Sequence, residues 1–122
     1  MKIKNIEIDF NFLDADNVEK FEKEARKVVE KSEQNKKEKL TYSEAIRKEC
    51  EVVEEFIDNV FEKGLSEKIF EGKKDLLEHI KAFQEIVNEK NSQQAELQSM
   101  YNKYAPNRQQ RRKSRKNEHS IR

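Results

Sequence analysis

Pro106 is the only proline of this chain, and Gly64 and Gly72 are its only glycines. Proline and glycine are the strongest helix breakers, and most of the chain lacks both. A β-sandwich or barrel needs a turn every few residues, so all-β architecture is excluded and long helices are expected. With 42% charged and 34% hydrophobic residues, those helices are solvated on most faces and share a modest core. Each fully buried Val, Leu, Ile or Phe contributes about 1.5–3 kcal/mol, against about 1–2 kcal/mol to order each backbone residue. A chain this polar gains from a partner or from self-association.

One strand is expected near the start. Ile6, Ile8, Phe10 and Phe12 alternate with Glu7, Asp9 and Asn11, the period of a strand with one buried face. Lys4-Asn5 can turn the chain so that residues 1–3 pair with the start of this strand. The hairpin is marginal alone and should pack on helices, or exchange between two copies.

Four helical segments follow. Asp14 or Asp16 caps the first, which carries Val18, Phe21, Ala25, Val28 and Val29 to about residue 32; the polar "SEQNKKEK" then reads as a frayed end and loop. Thr41 and Glu44 have capping-box spacing and open a second helix over 42–63. Its apolar stripe is Ala45, Ile46, Val53, Phe56, Ile57, Val60 and Phe61, and Gly64 is its left-handed stop. A short helix begins at Ser66 and stops at Gly72. Asp75 caps a last helix whose stripe is Leu76, Leu77, Ile80, Phe83, Ile86 and Val87. Nothing interrupts that helix before about residue 104, so it spans roughly 45 Å against roughly 33 Å for the second. Its end should project, with Leu97, Met100, Tyr101 and Tyr104 on one face, until Pro106 ends it. The predicted organisation is a helical body over 1–89, a projecting helix end over 90–104 and a disordered basic tail over 105–122. The fold class is mainly α, with a short N-terminal hairpin or strand on three to four helices.

Catalytic patterns are missing. His79 and His119 lie apart, and His79 reads as a solvated or half-buried side chain. Cys50 has no His or glycine-rich turn beside it and reads as a structural thiol. Two isolated glycines make no phosphate loop or dinucleotide fingerprint. The expectation is a protein without catalytic residues, cofactor or metal. A single cysteine forms no intrachain disulfide, which suits a reducing cytosol. The alternating start lacks the apolar core of a signal peptide, and no apolar run approaches the ~20 residues of a membrane span. A cytoplasmic protein without membrane contact is expected.

The net charge of +1 conceals a division. Residues 105–122 hold seven basic residues and one acidic, a net of +6; the remaining residues hold 19 basic and 24 acidic, a net of −5. Five of the seven arginines lie in that tail, among them Arg108, Arg111, Arg112 and Arg115. Arginine's planar fork grips phosphate or carboxylate at two points. The tail therefore suits an acidic protein surface, a second copy's acidic body included, or nucleic-acid phosphates; it is equally read as a solubilising end. Leu97, Met100, Tyr101 and Tyr104 have the spacing of helix-in-groove anchors, for a partner, for a second copy or for the chain's own body.

The stretches "IEIDFNFLDADNVEKFEKE", "SEAIRKECEVVEEFIDNVFEKG" and "SEKIFEGKKDLLEHIKAFQEIV", with the ending "NRQQRR", resemble a family of short proteins of phages and prophages of Gram-positive bacteria. In size and helical character these resemble the small tail-assembly chaperones of long-tailed phages. The resemblance implies a protein of the bacterial host cytoplasm that coats a helical tape-measure protein before the tail tube forms. With that resemblance, the spacing read above makes Leu97, Met100, Tyr101 and Tyr104, with hydrophobic faces of the body, the expected client contact, and Arg108, Arg111, Arg112 and Arg115 an expected charged contact to client or tail-tube protein. The alternatives are a nucleic-acid-binding or regulatory phage protein using that tail, and a purely structural homo-oligomer.

Overall fold

The computed structural model describes residues 1–104. The basic segment, with Pro106, Arg108, Arg111, Arg112, Arg115 and His119, lies outside the described residues. The architecture is mainly helical, as expected: strands β1 (Lys2–Ile3) and β2 (Ile6–Glu7), then helices α1 (Ala15–Lys37), α2 (Tyr42–Val60), α3 (Leu65–Phe70) and α4 (Leu76–Tyr104).

The hairpin forms where expected. β1 and β2 pair antiparallel with Ile3 opposite Ile6, and Lys4 and Asn5 turn the chain with φ of 46° and 68°. Two positive φ values are those of a type I′ turn, whose twist matches the strands. The seven-residue strand does not form: the ladder ends at Glu7. Ile8 and Phe12 are nonetheless buried, with Phe10 between the two half-buried. The alternation persists because the extended backbone is held by other partners. Ile8 donates to the Met1 carbonyl at 2.8 Å, and Gln93 of α4 clasps residues 10 and 12.

Side-chain caps set the helix starts. Asp14 accepts from the Asn17 amide, Thr41 and Glu44 form the reciprocal capping box, and Asp75 accepts from the Glu78 amide at 3.2 Å. Each satisfies an amide that the helix itself leaves orphaned. α1 continues to Lys37, past the expected end near residue 32. Its polar last turns are supported by α2, because Ser32 donates to Glu49 Oε2 at 3.0 Å and Asn35 to Glu49 Oε1 at 3.3 Å. α2 stops at Val60 rather than 63, and its cap is Phe61. Gly64, at φ 88°, stands at the start of α3 instead of closing α2. Ser66 lies inside α3, where its amide and hydroxyl both bond the Asp58 carboxylate.

α2 lies in the centre, packed on α1, α3 and α4. Cys50, Phe56, Ile57 and Val60 are its fully buried residues, and Phe12, Phe21, Ile69, Phe70 and Ile86 are also part of the buried core. Edge-to-face aromatic contacts run Phe61–Phe10–Phe12–Phe21–Phe56, with centroids 4.7–5.5 Å apart, a geometry that adds to area burial. Phe83 of α4 closes the series 5.1 Å from Phe56. Between α1 and α2, burial alone would raise the Glu24 carboxyl. Hydrogen bonds from Lys27 and Asn59, with the Lys27 and Lys23 charges, hold it below its ordinary value instead.

Candidate functional site

α4 docks through a face turned from the expected one, which keeps Leu76, Phe83 and Ile86 inward but not Leu77 and Ile80. Leu77 is 60% exposed and Ile80 43% exposed, whereas His79 is 0% exposed. Leu76, His79, Phe83, Ile86, Lys90 and Gln93 turn inward, alternating at three and four residues, the spacing of a coiled-coil seam, with Ala82 buried beside them.

His79 is inside because its polar atoms are satisfied there. Nδ1 lies 2.6 Å from the Asp75 carbonyl and Nε2 2.7 Å from Glu54 Oε2. Both ring nitrogens face oxygen acceptors. Satisfying both needs one proton on Nδ1 and a second between Nε2 and Glu54. Lys74 Nζ bonds both Glu54 oxygens at 2.7 and 2.9 Å, and the ring stacks on Phe70 at 3.6 Å. This corrects the reading of His79 as solvated or half-buried. The cluster is a buried structural tie between α2 and α4, and nothing in the sequence spacing places Glu54 beside His79. Cys50, one helical turn before Glu54, is buried; burial, then the Glu54 charge, pushes its thiol up. Among the described residues, no group of three or more His, Cys, Asp or Glu could hold a metal ion, and no helix is long and apolar enough to cross a membrane.

Further along α4 the seam turns polar while staying docked. Lys90 Nζ sits 5.6 Å from the centre of the Phe21 ring, a cation–π contact. Gln93 Oε1 accepts from the Phe12 amide at 2.7 Å, and its Nε2 donates to the Phe10 carbonyl at 2.8 Å. One side chain thereby satisfies the backbone that the shortened strand leaves open. Replacing Gln93 with alanine orphans both groups, so a loss of about 2 kcal/mol is expected. Denaturant unfolding followed by circular dichroism checks it, with faster amide exchange at Phe12 as the local sign.

Beyond Gln93 the helix leaves the body, and the seam continues with the same alternation through Leu97, Met100 and Tyr104. Leu97 is half-buried. Met100 is 52%, Tyr101 61% and Tyr104 84% exposed. The four residues expected as a partner face therefore share one side of a projecting helix, in line with the side that meets the core. Sequence spacing found them. It missed His79, Lys90 and Gln93 as members of the same seam, because their polarity hides the repeat. The arginines expected to assist lie outside the described residues.

One family matches the chain, over residues 4–115, and its description is "Family of unknown function (DUF6673)". No curated protein and no solved structure matches.

Proposed function

Because the chain belongs to that family of unknown function, which brings no assigned activity with it, we propose a role from its own surfaces: a non-catalytic, chaperone-like protein that binds and solubilises a helical client. The client that suits it is the tape-measure protein of a phage tail, held during virion assembly in the host cytoplasm. The observation that carries this reading is the outward continuation of the α4 seam. Leu97, Met100, Tyr101 and Tyr104 offer anchors at i, i+3, i+4 and i+7 on a helix with no described cover, the pattern by which one helix takes hold of another. The rest of the surface is densely charged, which keeps such a complex soluble. Arg108, Arg111, Arg112 and Arg115 would add charge attraction toward the client or a tail-tube protein.

Replacing Leu97 and Tyr101 with aspartate is expected to abolish co-purification with a co-expressed tape-measure protein while leaving the helical signal intact. Undiminished capture by the double variant would refute the reading. The arginine concentration also supports a second reading, nucleic-acid contact. There, affinity would fall steeply with salt and vanish when residues 105–122 are removed.

A further inference from the structure

We infer that the projecting end of α4 pairs antiparallel with the same segment of a second copy, making a two-fold dimer. The inference is independent of any client. It starts from the register of the seam. If Leu97 layers against Met100 of the second copy, as antiparallel helices pair their alternating apolar positions, the next layer sets Tyr104 against Gln93. Both layers occur twice by symmetry. The overlap runs from residue 93 to residue 104, about 16 Å of helix.

Two features of the chain fit that register. The residues flanking the seam on one side are Glu96 and Lys103, both exposed and without a salt bridge among the described residues. In the register set by Leu97 and Met100, each Glu96 faces Lys103 of the other copy, so opposite charges meet twice. Second, the tip of one helix arrives at the place where the other body begins. An open concavity of about 490 Å³ lies there, lined by Asp9, Phe10, Asn11 and Gln93, and Tyr104 is the side chain that reaches it.

Other occupants fit less well. A parallel pair would set Glu96 beside Tyr101 of its neighbour, with no opposite charge facing it among the described residues. The chain's own residues 105–122 hold Ile121 as their one large apolar side chain, too little to cover the face.

The test is the oligomeric state of the full chain, measured by size-exclusion chromatography with light scattering, and its response to charge exchange. Four layers make a small interface, so association in the micromolar range is expected. At about 100 µM, well above that range, the mass should be twice the 14.6 kDa of one chain. Glu96→Lys should weaken the dimer about tenfold, by placing like charges together twice. Lys103→Glu should do the same, and the combined variant should restore the dimer. A monomer at that concentration overturns the inference, as does a dimer indifferent to the single exchanges or one that the combined variant fails to restore. Glu96→Lys keeps the apolar face, so loss of the dimer with client capture retained separates this pairing from the client role.

Discussion

Phe56→Ala is expected to lower the free energy of unfolding by about 4 kcal/mol, the largest single-residue effect in the molecule. Phe56 is 1% exposed at the middle of α2. Its ring meets Phe21 of α1 on one side and Phe83 of α4 on the other. Truncation removes the transfer energy of the ring and leaves a cavity where three helices meet, which rigid backbones close only in part. The edge-to-face contact with Phe21 and the tilted contact with Phe83 are lost as well, each worth about 0.5–1.5 kcal/mol beyond area burial. Phe56→Leu keeps most of the volume and should cost about 1.5 kcal/mol. Urea unfolding followed by circular dichroism measures both. A loss below about 1.5 kcal/mol for the alanine variant would contradict the packing, since a core aromatic costs at least twice that.

His79→Ala is expected to cost about 3 kcal/mol, by a different mechanism. The packing loss is that of a fully buried ring stacked on Phe70, and the loss of two polar contacts adds to it. Removing the imidazole strips Glu54 of a bonding partner on its inner side and leaves the Asp75 carbonyl without its ring contact. Glu54 is partly exposed and keeps both bonds from Lys74, so this share is that of the lost hydrogen bonds, about 1 kcal/mol each. Lys74 is partly exposed, so Lys74→Ala should cost about 1 kcal/mol or less. Thermal unfolding should show the histidine variant melting about 10 °C lower, and the lysine variant within a few degrees. Equal effects for the two would place the importance of the cluster at the surface.

Much of this architecture can be read from local signals. The turn at Lys4-Asn5, the caps at Asp14, Thr41 and Asp75, and an uninterrupted last helix all depend on residues within four positions of one another. The errors share one cause, a polar side chain satisfied from far along the chain. The strand stops at Glu7 because Gln93, not another strand, bonds Phe10 and Phe12. α1 runs on because Glu49 receives Ser32 and Asn35. α4 turns His79 inward and leaves Leu77 and Ile80 partly in water because Glu54 waits inside. A hydrophobicity pattern ranks all these residues as surface. At the candidate site Leu97, Met100, Tyr101 and Tyr104 were legible as apolar residues at helical intervals. Their alignment with the docked part of α4 was not, since two of the linking positions are Lys90 and Gln93.

The grip of Gln93 on Phe10 and Phe12 spans more than eighty residues. Synthesis proceeds from the amino terminus, so Phe10 and Phe12 leave the ribosome well before Gln93 and are among the last residues to be secured. Helices α1 and α2 can associate as they emerge, while Phe12 waits for a clasp about three-quarters of the way along. A transcript truncated before codon 93 would therefore yield a chain with most of its helices and a greasy, unfastened leader, a natural substrate for proteolytic quality control.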